Sequence, residues 1–192
     1  MAILKLYMMI LGGRPAARNT EQHDIFLGIA TSLRELVPEI KAFWPEAKSN
    51  LHIDAWREVT SVDGCRVEIV ERKHGGANSD RSGQLFFINL GGYKEGLFDE
   101  PHFKMLTVQK DKAQAVKHAK DTPFYKELSV PTPGGNSHVD DHFGVDVDEV
   151  YNVKDILPAG QKELYSLSIT PQEGIPDDKL HLGYFKLNAL PG

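Results

Sequence analysis

A chain of 192 residues with 41% hydrophobic and 26% charged side chains has an ordinary globular makeup, and no apolar run reaches membrane-spanning length. The formal net charge of −5 argues against general nucleic-acid binding, which needs clustered Lys and Arg. Residues 1–80 hold 10 basic and 11 acidic side chains and residues 81–192 hold 12 and 16, so the halves carry −1 and −4.

Residues 3–11 form an apolar run of Ile, Leu and Met that stops at Gly12-Gly13, and this short length predicts a buried strand. So apolar a start also raises the question of a signal peptide, but the similar segment Leu85–Leu90 lies mid-chain, where no signal can be. Residues 13–22, with Pro15 and Asn19, read as a loop, and His23 to Ala30 as a second strand. Ser32-Leu33-Arg34-Glu35 has the form of a capping box. Leu33, Leu36, Val37, Ile40 and Trp44 then fall on one helical face; Pro38 predicts a kink or a late start, and Pro45 ends the helix. Leu51–Val62 and Cys65–Val70 predict a hairpin about the Asp63-Gly64 turn. Cys65, the only cysteine, is read as a strand residue rather than a nucleophile, and having no partner it suits a reducing cytoplasm.

Residues 72–84 are charged and rich in Gly and Ser, as a linker would be. Leu85–Leu90 and Phe103–Val108 predict strands, and Asp111–Lys120 a weaker helix capped by Asp111. Val145–Val153 and Leu164–Ile169 are the last strands of this region. In the remaining arm, 171–192, Leu180–Leu187 is suited to an edge strand.

Adding 79 to Leu11-Gly12-Gly13 … Glu21-Gln22-His23 gives Leu90-Gly91-Gly92 … Glu100-Pro101-His102, five identities in thirteen positions. His52-Ile53-Asp54 and His138-Val139-Asp140 extend the match at an offset of 86, with the difference absorbed by an insertion at 131–137. The expected fold is therefore α+β: two pseudo-symmetric ββαββ repeats, 1–71 and 85–170, in mainly antiparallel sheet with helices on one face.

Residues two apart on a strand share a face, so Glu21 stands with His23 and His52 with Asp54. Two imidazoles and two carboxylates can bind a divalent metal, and a free carboxylate beside them can act as a base. Glu100, His102, His138 and Asp140 offer the same set in the second repeat. Bracing of the loop after Gly-Gly is the plainer use of both sets. Gly12-Gly13-Arg14 leads into a strand rather than a helix, so it reads as a turn and not a phosphate loop.

Asp140, Asp141, Asp146, Asp148 and Glu149 fall within ten residues that hold no Lys or Arg, and as a surface they would suit a basic protein partner. The runs Tyr7-Met8-Met9-Ile10-Leu11-Gly12-Gly13-Arg14, Glu21-Gln22-His23-Asp24, Leu51-His52-Ile53-Asp54 and Val62-Asp63-Gly64 resemble the bacterial family described as domain of unknown function 1543. The resemblance spans roughly residues 3–170; it implies a unit often carried twice and leaves the activity open. Phe103 stands where the pattern has the aspartate at Asp24, so the second copy departs from it.

Charge and motifs together lead to the expectation of a cytoplasmic, non-enzymatic binding module. Its acidic surface would neutralise a basic partner, as an immunity protein neutralises a nuclease toxin. The alternatives are a small metal-dependent hydrolase built on the Glu/His/His/Asp sets, and a structural or dimerising protein. No catalytic residue is assigned, and a divalent metal is the one cofactor the side chains suggest.

Overall fold

The computed structural model describes residues 3–72, 83–92, 97–128, 131–132, 135–136 and 147–191, with backbone alone at 127–128, 131–132, 135–136 and 147–148. The expected site residues His138, Asp140, Asp141 and Asp146 lie outside the described residues. The fold is α+β, and every described strand pair is antiparallel. Two compact units are present: Met1–Ser79 with Ile156–Gly192, and Asp80–Asp155. No helix among the described residues is long and apolar enough to cross a membrane.

In chain order, β1 (Lys5–Gly13) and β2 (Gln22–Ala30) precede a 3₁₀ turn, Leu33–Leu36, and α1 (Val37–Phe43). A second 3₁₀ stretch, Pro45–Asn50, leads to β3 (His52–Glu58), β4 (Ser61–Val62) and β5 (Cys65–Glu71). The second unit has β6 (Gln84–Gly91), β7 (His102–Gln109), α2 (Lys112–Lys120), α3 (Pro123–Leu128), the short ladder of β8 (Pro131–Thr132) with β9 (Gly135–Asn136), and β10 (Val147–Asn152). Then come α4 (Val153–Ile156), α5 (Ala159–Leu164), β11 (Tyr165–Pro171) and β12 (His181–Lys186).

The first unit has one sheet in the order β12-β3-β1-β2 and another in the order β11-β5-β4. Alternation along β1 puts Tyr7, Met9 and Leu11 on one face, where they pack with Phe26, Ile53, Leu33, Leu36, Ile40 and Leu190. Burial of each large apolar side chain there contributes about 1.5–3 kcal/mol. The strand expected at Leu164–Ile169 is β11, which pairs with β5 along its whole length, from Tyr165 opposite Glu71 to Pro171 opposite Cys65. Asp63 and Gly64 both take positive φ, 51° and 70°, and join β4 to β5 in the two-residue turn that matches strand twist.

The start of the helical segment differs from expectation. Ser32 makes no side-chain cap; instead Glu35 accepts hydrogen bonds from Thr31 N at 2.9 Å and Thr31 Oγ1 at 2.7 Å. The first turn is 3₁₀, and the Glu35 carboxylate reaches back to Thr31 in place of a side-chain cap from Ser32. The α-helix proper begins late, at Val37, leaving Pro38 in its first turn, where a missing N–H costs nothing.

The second unit's sheet runs β10-β6-β7. Asp111 accepts from Gln114 N at 2.8 Å and so caps α2 as expected. That helix presents Ala115 and Ala119, both fully buried, to Phe86, Ile88 and Leu90.

The registers of the two sheets agree in detail. Gly12 stands opposite His23 in β1–β2, and Gly91 opposite His102 in β6–β7. Between β1 and β3, Leu11 faces Ile53 while Ile10 faces Ala55, so Asp54 is the extra residue of a β-bulge. Between β6 and β10, Leu90 faces Val147 while Asn89 faces Glu149, so Asp148 is the extra residue there.

The Thr31 hydrogen bonds hold the Glu35 carboxyl below its ordinary range near 4.5. A lowered folded pKa gives a contribution that is complete above that range and lost as pH falls through the lowered value. Replacing Glu35 with Gln should therefore remove part of the acid-side loss in melting temperature. Thermal melts of both proteins stepped downward from pH 6 check this; parallel curves would show that the contact is idle.

Candidate metal centre

Strand register builds the site. Gly12 of β1 pairs with His23 of β2 on one side and His52 of β3 on the other. Neighbouring strands are about 4.8 Å apart, so the two histidine backbones flank the glycine with roughly 10 Å between them. Their rings lean inward over Gly12, where Glu21 and the bulge residue Asp54 join them. His52 Nε2 lies 3.2 Å from Glu21 Oε1 and 3.1 Å from Asp54 Oδ1. His23 Nε2 lies 3.1 Å from Asp54 Oδ2 and 3.9 Å from Glu21 Oε2.

The glycine makes this convergence possible. A β-carbon at residue 12 would collide with Asp54 Oδ2 and His52 Nε2, and would stand 2.9 Å from His52 Cε1. The site has a closed side and an open one: the His52 side chain is 3% exposed, Asp54 30%, and His23 and Glu21 46% each. Tyr184 of β12 lies over the His52 ring, with ring centroids 4.2 Å apart.

The proton positions decide what the arrangement can do. His52 Nδ1 is 2.7 Å from the Asn50 carbonyl oxygen, which can only accept, so Nδ1 carries the hydrogen. In the neutral ring Nε2 then presents a lone pair, and it presents it to two carboxylate oxygens. Asp54 Oδ2 is buried and receives no aligned hydrogen bond, although His23 Nε2 is close. Lone pairs and anions crowded in this way need a positive centre: a shared proton or a cation.

As they stand, the described side chains form no ready-made cage of three or more metal-ligating groups. The four heads meet in crossed pairs instead. Ligands about 2.0–2.1 Å from a tetrahedral ion are separated by about 3.3 Å, so three of the four contacts are already close to ligand–ligand edges. A hydrogen bond from the second ring nitrogen to a backbone carbonyl is also the usual orienting contact of a metal-bound histidine.

The second set is less complete. Glu100 is half-buried just before β7 and His102 is exposed at its start, while His138 and Asp140 fall outside the described residues. Of the acidic group, Glu149 accepts a hydrogen bond from Asn89 Nδ2 at 2.8 Å, and Asp148 sits in the backbone of β10. Burial pushes the Cys65 thiol up, away from reactivity.

Residues 18–69 match the family model described as Domain of Unknown Function (DUF1543). This stretch is a DUF1543 domain. It holds all four converging side chains, whereas Gly12 and Tyr184 lie outside it. The motif resemblance ran wider, to roughly 3–170. A crystal structure of protein Il1583 from Idiomarina loihiensis is similar in fold, with a TM-score of 0.59 and 19% identity over 96% of this chain and 97% of that one. No curated protein matches the chain.

Sequence reading named the four heads and missed three supports around the DUF1543 site: the Asn50 carbonyl, the Tyr184 ring and the clearance above Gly12. The Gly-Gly pair, expected in a turn, forms the last two residues of β1. The place of Gly12 between two histidines is set by the pairing of β1 with β2 and β3, so no local sequence signal marks the clearance.

Gly12→Ala should disperse the four heads and destabilise the protein by about 1–3 kcal/mol, as overpacking does. Gly160→Ala, where a β-carbon meets nothing within 4 Å, is the control and should be near neutral. Denaturant melts of both variants measure the difference.

Proposed function

We propose that the DUF1543 domain of this chain binds a divalent transition-metal ion through Glu21, His23, His52 and Asp54. The observation that carries this reading is His52 Nε2, which in the neutral ring fixed by the Nδ1 contact to Asn50 presents a lone pair, set 3.1–3.2 Å from two carboxylate oxygens. Two imidazole nitrogens and two carboxylates suit zinc, manganese or iron. The open side leaves room on the ion for water or a ligand. Glu21, exposed and 3.9 Å from the second imidazole, is the loosest of the four; where it leaves the ion, three ligands and one open position would remain, and its freed carboxylate would be the group best placed to take a proton from water bound there. This favours the hydrolase reading over purely structural bracing.

The identical registers of β1–β2 with β6–β7, and the matching bulges at Asp54 and Asp148, support an origin by duplication. By those bulges Asp148, 94 residues on, holds the backbone place of Asp54, whereas the sequence spacing selects Asp140, which lies outside the described residues. The acidic recognition surface, with a basic toxin as its partner, is supported by charge alone. The engagement of Glu149 by Asn89 weakens it. The lone cysteine supports a reducing compartment such as the cytoplasm.

Purified protein should retain about one zinc, manganese or iron ion per chain after desalting, and His23→Ala should lose it. A protein that holds no metal, and whose melting temperature no added divalent ion raises, would end the metal reading. For the acidic surface, neutralising Asp146, Asp148 and Glu149 to amides should slow association with a captured basic partner at low salt. Equal rates would leave those charges a solvated surface.

A further inference from the structure

Beyond the metal reading, on which it rests, we infer that the C-terminal strand β12 is part of the site and that Tyr184 is a positioning residue for the ligand His52. Two bulges meet at Asp54. On the β1 side Asp54 is the extra residue; on the β12 side Leu182 faces Ala55 and Phe185 faces Ile53, so Gly183 and Tyr184 together oppose Asp54. Gly183 makes this possible by adopting φ +135°, a conformation that side chains disfavour. The doubled step sends Phe185 against the buried core cluster and sets Tyr184 on the His52 ring, tilted by 33°.

The same strand pair carries a second stack: His181 lies parallel on Trp56, with centroids 3.8 Å apart and planes within 2°. β12 is thus fastened to β3 by two imidazole–aromatic contacts, one of them on a metal-ligand candidate. His52 is held on three sides: by Asn50 O at its Nδ1 edge, by Tyr184 on its face, and by the backbone of Gly12 below Nε2. Tyr184 is 63% exposed, and its hydroxyl has no hydrogen-bond partner among the described residues. Its ring, rather than its hydroxyl, therefore does the positioning. A ring that loses one of these supports samples other angles, and the ion loses a pre-aimed ligand. Loss of such an orienting partner weakens metal affinity by about 10–100-fold.

The test compares wild type, Tyr184→Phe and Tyr184→Ala in the full chain by zinc competition against a chromogenic chelator and by NMR of the His52 Nδ1–H without metal. Tyr184→Phe should match wild type in both. Tyr184→Ala should bind zinc at least about tenfold more weakly and lose the slowly exchanging Nδ1–H signal. Gly183→Ala, which displaces the same contact through the backbone, should behave like Tyr184→Ala. Equal affinity and an unchanged signal in Tyr184→Ala would overturn the inference, as would a loss in Tyr184→Phe as large as in Tyr184→Ala. If wild type binds no zinc, the metal reading fails by itself. The Nδ1–H comparison then decides the positioning role: signal kept in Phe and lost in Ala sustains it, and no difference ends it.

Discussion

A position without a side chain, in the middle of a three-strand row, governs the chemistry of the first unit. Histidines stand on both sides of Gly12, and side chains on one face of a sheet would ordinarily rise side by side. With nothing above residue 12, the rings bend toward each other and the two carboxylates follow. Any other residue would fill that volume and keep the imidazoles apart. The close approach concentrates two negative carboxylates on two nitrogens, so the clearance above one glycine also sets the demand for a positive centre.

The bulge at Asp54 is the second half of the same device. A regular strand would carry the alternation through unbroken and send Trp56 away from the core. The extra residue restores Trp56 to the core side opposite Met9, while His52 and Asp54 remain over Gly12. The bulge at Asp148 in the second unit has the same form.

Much of this was legible in the chain. Glycine stops, alternation and turn dipeptides located β1, β2, β5, β6 and β7, because each signal is local and rests on backbone preferences. The Asp111 cap and the late helix start at Val37 came from equally local rules. The cap at Thr31 did not, since whether the first turn is 3₁₀ or α is not marked by the residues themselves. The partner of β11 was also illegible: which of several apolar strands lies beside β5 depends on packing between segments more than ninety residues apart.

By itself the sequence determined which side chains are available, Glu21, His23, His52 and Asp54, and that each pair shares a strand face, because a two-residue period is fixed by the pleat. Tertiary structure alone decided that the two pairs point at each other, since this required β2 and β3 to flank β1 in a register that puts Gly12 between the histidines. It alone also brought Tyr184 to His52 across 132 positions, because edge-strand pairing and a glycine bulge, not sequence spacing, set that contact.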